Sequence, residues 1–406
     1  MTRSLWTWLR KDDHGLTAFL LLFMAVIFVG DHLNHKFFQT DFKAYLQAAY
    51  RMPYGEMLYH REPGEISGMA YKYSPAVVFL FIPLTWVSVE AAKVIYFLIT
   101  CTVVFLLLRF SRELVRQLTN SRVALTQGQL FIAVLAMGEF IYREIDIGNV
   151  NALVALLTIV SCWLVGRGRE LPAGALLGLA ALFKPHYSIF ILFYLLFRKW
   201  RMAATYLAIV VAGLLAPILF YGIPGNINLH AAWWREMIGS TPPGQWIHPY
   251  YGMNTLIELC AWPFRLAGWQ MVIDSPLFPA SILLLLALGF ILLLRRVKNQ
   301  DVSLHYPILY VIGGTPLLLQ VDINHFLLLM PLIFYLLAIW KSQPILWRFV
   351  VAAGLILLGG NIFEVWGREL HRLFYYIGVY AMGATLLLTA LLTTRLQVVS
   401  ERTTTA

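Results

Sequence analysis

From Leu16 to Thr394 the chain returns repeatedly to apolar windows of roughly 13 to 20 residues, about the length of a helix that traverses a bilayer core. Hydrocarbon offers no partner to a peptide N–H or C=O, so windows of this kind satisfy their backbone internally as helices. No stretch left between them has the size of an ordinary soluble domain. The expectation is therefore one all-α, polytopic integral membrane domain over residues 1–406. Composition agrees: 60% of residues are hydrophobic and 13% charged, with a mean hydropathy of +0.70, against about half apolar and a quarter charged in a soluble domain.

Windows near 16–30, 91–109, 123–142, 147–165, 171–185, 186–198, 202–221, 277–294, 304–320, 326–340, 347–360 and 374–393 predict about twelve crossings. The basic runs Arg3/Arg10/Lys11, Arg109/Arg112/Arg116/Arg122, Arg167/Arg169, Arg198/Lys199/Arg201 and Arg295/Arg296/Lys298 fall between windows and follow the positive-inside rule. Both termini are then cytoplasmic, and the net charge of +10 reflects topology rather than nucleic-acid binding. No small-residue cleavage site follows the first window, which is expected to remain as an anchor. Residues 73–87 are apolar but carry Pro75 and Pro83, predicting an interfacial or re-entrant segment. The windows 171–185 and 186–198 are short for a core of about 30 Å at about 1.5 Å per residue, and predict a pair meeting inside a cavity. Cys101, Cys162 and Cys260 give neither a disulfide framework nor a metal cluster and read as packing residues.

This topology places two long loops, 31–72 and 222–276, on the extracytoplasmic side. Both are rich in Trp, Tyr, His and Pro, as helices at a membrane surface are. In the stretch TDFKAYLQAAYR, residues 40–51, Phe42, Tyr45, Leu46 and Ala49 share one helical face and Lys43, Gln47 and Arg51 the other. The pattern predicts a helix lying flat at the interface, capped by Thr40 or Asp41.

Polar residues converge on the same side. Asp146, Asn149 and Asn151 stand at the outer end of a span whose inner end is Arg167; Lys184 interrupts an apolar run where Pro185 breaks the helix; Asp322, Asn324 and His325 stand at the mouth of a late span. A lysine at mid-bilayer costs roughly 2.5–3.5 kcal/mol, so Lys184 either snorkels or faces water or an anion. A carboxylate and a cation in a wet cavity suit displacement of a phosphate: Asp41 takes the proton of an attacking hydroxyl and Lys184 neutralises the departing charge. They equally suit a proton-coupled transporter or a flippase of lipid-linked sugar. The lack of an internal repeat, and two large loops on one side only, favour the enzyme.

The ordered series Asp41, Tyr45, Gly55, Tyr59, Tyr73-Ser74-Pro75, Pro83-Leu84, Gly148-Asn149-Val150-Asn151, Lys184-Pro185 and His325 resembles glycosyltransferase family 87 over roughly residues 16–340. These are mannosyltransferase-like enzymes of the GT-C superfamily that take a sugar from a polyprenyl phosphate. The resemblance implies a GT-C-type helical bundle in a bacterial plasma membrane, performing an inverting hexose transfer on its extracytoplasmic face to a lipid or glycan acceptor. It implies Asp41 as general base, His325 as a second catalytic residue, Lys184, Asn149 and Asn151 toward the donor phosphate, and Tyr45 and Tyr73 in the sugar site. Arg61 and Lys72, on the same loop, are candidates to hold acceptor or lipid head groups. No cofactor, protein partner or nucleic acid is expected. A leaving phosphate monoester can be stabilised by cations and amides, and neither outer loop offers a DxD-type pair, so no metal is expected either. The chain departs from the family pattern at Asn149, where glutamine is common, at Ser74, where proline is common, and at Asn324, where relatives tend to pair a histidine with His325.

Overall fold

The computed structural model describes residues 14–34, 37, 39–59, 71–119, 125–239, 255–298, 307–318 and 323–394. Among these the regular structure is helical throughout, with no strand. Two helices, Val89–Leu118 and Leu277–Arg296, are long and apolar enough to cross a membrane singly. Two bent pairs bring the number to four if each counts as one span: Trp200–Leu215 with Ile218–Met237, bent by 90°, and Val365–Tyr376 with Val379–Thr393, bent by 56°. The remaining apolar windows fold as shorter pieces.

The expected crossing over 123–142, for instance, divides at Met137 into Gln127–Ala136 and Gly138–Ile147. The window 326–340 becomes a 3-10 helix, Ile323–Leu329, followed by Met330–Ala338. Hydropathy counts apolar residues and is blind to such breaks. Twelve windows therefore yield a multi-pass α protein in which, among the described residues, most windows are not single span-length helices.

One compact unit gathers residues up to Leu114, Thr126–Gln245 and Asn324–Leu328. Its helices are α1 (His14–Leu33), α2 (Thr40–Arg51), α3 (Val89–Leu118), α4 (Gln127–Ala136), α5 (Gly138–Ile147), α6 (Asn151–Val165), α7 (Glu170–Phe183), α8 (Ile189–Leu196), α9 (Trp200–Leu215) and α10 (Ile218–Gly239). The segment 73–87 forms two 3-10 helices, Pro75–Leu80 and Ile82–Trp86, neither long enough to span.

α6 and α7 are 15 and 14 residues long and joined by a tight turn, so the start of one lies beside the end of the other. α7 and α9 then run parallel through small residues. A methyl added at Gly174 would strike the Met202 carbonyl, one at Gly178 would lie 2.9 Å from Ile209 Cβ, and one at Gly213 would strike Leu182. Backbones come this close only where side chains are minimal, the usual device for helix association in lipid. α7 ends at Lys184, whose backbone is extended (φ −141, ψ 100) because Pro185 bars the residue before it from helical geometry. α9 breaks at Pro217, and α10 continues helical to Gly239 with a kink at Gly222. The outer loop expected from 222 thus begins as helix.

A second unit comprises Val115–Leu125, Trp246–Ile323 and Leu329–Ala406. In it, helices α11 (Leu256–Leu266), α12 (Gln270–Asp274) and α13 (Leu277–Lys298) enclose Ile257, Ala261, Ile273, Phe278 and Ile282. The helices Ile345–Gly359 and Val379–Thr393 meet at Gly354 and Gly383, each of whose added methyl would press on the other's carbonyl, at 3.0 and 2.8 Å. The Trp347 indole N–H donates to Ala390 O across the same seam, and Arg296 donates to the carbonyls of Leu392 and Thr394. All three cysteines are free thiols.

Candidate functional site

Asp41, Asn149, Asn151 and Lys184 of the first unit assemble around one short corner, the junction of α5 and α6. Gly148 makes that corner possible. It ends α5 in the left-handed region (φ 67), and its α-carbon lies so close to α2 that an added methyl would stand 2.9 Å from Phe42 Cβ and 3.1 Å from Gln39 Cβ. The approach brings Asn149 within reach of α2, and its Nδ2 donates to Asp41 Oδ2 at 2.8 Å. Gly148→Ala combines the left-handed penalty, about 1–2 kcal/mol for an L-residue, with that collision. It is expected to lower both the unfolding midpoint and any activity that depends on Asp41. An alanine variant as stable as the wild type would disprove the close approach.

α2 itself departs from the amphipathic reading. Its N-cap is Gln39, in a left-handed conformation (φ 42), rather than Thr40 or Asp41. Seven of its twelve residues are buried, among them Ala44, Ala48 and, against the amphipathic pattern, Arg51. The 3-10 segments at 52–54, 75–80 and 82–86 and helix α5 pack against it, so α2 is more enclosed than its own pattern implies, with Lys43 and Gln47 half-buried. A helical wheel registers only the helix's own pattern, not what neighbouring segments will cover.

Asn149 Oδ1 accepts from Val150 N at 2.6 Å and from the Tyr73 hydroxyl at a long 3.3 Å; Tyr45 in turn donates to Tyr73 at 3.2 Å. Burial pushes both tyrosine hydroxyls well above their ordinary pKa, with the other ring and the charge of Asp41 adding to the effect for Tyr45, and Asp41 next for Tyr73. They remain protonated donors. Tyr59 and Tyr71 fix this loop by donating to the carbonyls of Tyr73 and Ser74.

Two residues beyond Asn149 the same corner carries the second group. Lys184 Nζ donates to Asn151 Oδ1 at 2.5 Å and to His325 Nε2 at 2.9 Å, the meeting that the antiparallel α6–α7 pair dictates. An ammonium can only donate, so Nε2 is the acceptor and the neutral ring carries its proton on Nδ1. The ammonium also stands 5.7 Å from the centre of the Tyr73 ring, and Tyr73 thereby touches both groups. His325 Nδ1, Asn151 Nδ2 and His186 Nε2 are buried atoms without a hydrogen-bond partner among the described residues. Buried polar atoms are ordinarily satisfied. Two of the three, the His325 Nδ1–H and the Asn151 amide N–H, are donors on the side chains that the Lys184 ammonium contacts, and an anion would satisfy both.

Asp41, Asn149, Tyr45 and Tyr73 are therefore joined in one network and Lys184, Asn151 and His325 in another, with Tyr73 between them. Lys72 is not among them: its side chain is exposed, and its carbonyl accepts from the Trp233 indole. Arg61 and Asp322 lie outside the described residues.

Two further residues went unread in the sequence. Glu144 is fully buried; its Oε1 accepts from Ala152 N at 2.6 Å and its Oε2 from Asn324 Nδ2 at 2.9 Å. It thus ties the residue after Asn151 to the residue before His325. Its signal was register: Glu144 follows Phe140 and Ile141 by four and three places, on the buried stripe of α5. The His186 ring lies beside that of His325, the centroids 5.3 Å apart and the planes tilted by 50°. A second imidazole thus stands beside His325 in space, although Asn324 precedes it in sequence.

A family model described as glycosyltransferase family 87 matches residues 71–312. That stretch contains Tyr73, Asn149, Asn151 and Lys184, with Asp41 before it and His325 after. Among curated proteins the chain is similar to a polyprenol-phosphate-mannose-dependent alpha-(1-2)-phosphatidylinositol mannoside mannosyltransferase of Mycobacterium tuberculosis. The two are 29% identical over 199 residues, 46% of this chain and 45% of the relative. It is also similar to an alpha-(1->3)-arabinofuranosyltransferase of Corynebacterium glutamicum, 22% identical over 200 residues, 47% of this chain and 45% of the relative. The chain thus aligns with a little under half the length of each. No solved structure matches it.

Proposed function

The chain belongs to glycosyltransferase family 87, and from that membership we propose that it is a membrane glycosyltransferase using a polyprenyl-phosphate sugar. The donor is polyprenyl phosphate mannose, the carrier named in the mycobacterial relative. The acceptor is a hydroxyl of a membrane lipid or glycan, reached from the extracytoplasmic face. The observation that carries this reading is the pair of groups on one corner: a carboxylate held by Asn149, and a buried ammonium held by Asn151 and His325.

In the reaction the acceptor hydroxyl attacks the anomeric carbon from the face opposite the phosphate, which inverts the configuration. Its proton passes to Asp41. The bond between the anomeric carbon and the phosphate oxygen breaks with its electron pair going to the phosphate. Lys184, Asn151 Nδ2 and His325 Nδ1 meet the charge that develops there, and Tyr45 and Tyr73 orient the sugar. Stabilisation of a departing oxyanion by prearranged donors is ordinarily the largest single contribution to such catalysis. A phosphate monoester so held has no need of a divalent ion, and the transfer proceeds without one.

Reconstituted with labelled polyprenyl phosphate mannose and a membrane lipid extract, the full chain is expected to move label into the lipid fraction and release polyprenyl phosphate in equal amount. The rate is expected to be the same in EDTA. Loss of transfer in EDTA that Mg²⁺ or Mn²⁺ restores would overturn metal independence. Movement of intact donor across a liposome bilayer, with no polyprenyl phosphate released, would overturn the enzyme and favour a transporter.

A further inference from the structure

The unit holds a second basic site, at the opposite end of α7 from Lys184. Fourteen helical residues separate the two ends, about 20 Å at ~1.5 Å per residue. There the parallel helices α7 and α9 both begin, and between their starts lies a cavity of about 640 Å³ lined by Arg169, Glu170, Leu171, Arg198, Trp200 and Arg201, among others. The carboxylate of the lining, Glu170, is engaged by Lys199, whose Nζ stands 3.0 Å from its Oε1. The guanidiniums of Arg169, Arg198 and Arg201 pair with no carboxylate among the described residues, so the lining carries an excess of positive charge.

The two turns that lead into this cavity are built alike. In the first, Arg169 N donates to Leu164 O and Gly168 N to Val165 O; in the second, Lys199 N donates to Tyr194 O and Arg198 N to Leu195 O. The left-handed position is Gly168 in one (φ 73) and Arg198 in the other (φ 57). Glycine takes that conformation freely and arginine does not. The second turn thus holds a guanidinium at the cavity where its backbone would be easier as glycine. Large apolar side chains of the lining face outward, Leu171 58% and Trp200 64% exposed, and Leu196, two residues before Arg198, is 66% exposed.

We propose that this cavity binds the phosphate of an anionic membrane lipid, its acyl chains lying against Leu171, Leu196 and Trp200. Guanidinium forks match phosphate oxygens two at a time, tryptophan favours the level of the head groups, and basic pockets between helices are where anionic head groups lodge. The apolar rim selects a lipid over a soluble anion. The site is separate from the Asp41–Lys184 corner and its assignment does not rest on sugar transfer.

The test is native mass spectrometry of the full chain in detergent, titrated with phosphatidylglycerol, with phosphatidylcholine and with inorganic phosphate. Phosphatidylglycerol is expected to bind in clear preference to phosphatidylcholine, with affinity falling about fivefold for each guanidinium removed in Arg169→Ala, Arg198→Gly and Arg201→Ala. Arg198→Gly keeps the assay decisive, because it relieves the left-handed backbone: it is expected to raise the unfolding temperature while weakening the lipid. Arg235→Ala, on α10, is expected to change neither. Equal binding of the two lipids, or undiminished phosphatidylglycerol binding in all three variants, would leave the arginines as topology signals and overturn the proposal. Inorganic phosphate binding as tightly as the lipid would assign the cavity to a soluble anion and overturn it likewise.

Discussion

Replacing Asp41 by asparagine is expected to slow sugar transfer by about 10²-fold or more while leaving donor binding unchanged. The substitution is nearly isosteric, and an amide oxygen at the same place can still accept from Asn149 Nδ2, now 2.8 Å from the carboxylate. The corner between α5 and α6 therefore stays in place. What is lost is a basic oxygen. The size of the effect decides its origin: a 10²-fold loss corresponds to about 2.7 kcal/mol of barrier, beyond the roughly 0.5–1.5 kcal/mol that a single hydrogen bond ordinarily contributes. Single-turnover transfer and equilibrium donor binding, measured on the same preparations, separate the two. Transfer at the wild-type rate would remove Asp41 from the chemistry and point to Glu144, the buried carboxylate on the other side of the corner.

Lys184→Met is expected to cost about 10²–10³-fold in transfer, the range seen when one donor to a developing oxyanion is removed, and to weaken the donor as well. Methionine fills the unbranched apolar stem but removes the ammonium from Asn151 Oδ1 and His325 Nε2, 2.5 and 2.9 Å away. Two buried acceptors then lose a donor, and each such loss costs roughly 1–3 kcal/mol, so the unfolding midpoint should fall too. Stability alone would not identify the role. The discriminating measurement is competition between polyprenyl phosphate and uncharged polyprenol for the labelled donor's site. Wild type is expected to prefer the phosphate strongly and Lys184→Met to lose that preference. A variant that keeps it would show that the phosphate is held elsewhere.

Tyr45 and Tyr73 entered through the family resemblance alone, but the other members of the two networks were legible in the sequence for one reason: an ionised or amide side chain is conspicuous against hydrocarbon. Asp41, Asn149, Asn151, Lys184 and His325 all stand out in that way, and the structure joins them. Glu144 did not stand out, because REIDIGNVN reads as a hydrated helix end in which any one charge is unremarkable. Its burial follows from the packing of α5, and only its register with Phe140 and Ile141 could have announced it. His186 was overshadowed by the lysine two places before it. The enclosure of α2 was beyond reach for another reason. The segment that packs on it, with Phe81 against Phe42 and Tyr45, is one whose prolines gave no hint of where it would turn.

The corner at Gly148 has a consequence for how such a site can change. The carboxylate and the ammonium are held by Asn149 and Asn151, whose α-carbons can be no more than about 7 Å apart along an extended backbone. The spacing between the two groups is thus measured out by a ruler of two peptide links, braced at one end by Gly148 against Phe42 and at the other by Glu144 against Ala152 N. Distant helices may drift or lengthen without altering that interval. A single residue inserted at Val150 would alter it at once. New partners for this scaffold are therefore to be sought in substitutions around the ruler, at Tyr45, Tyr73 and Gln39, and not in changes to its length.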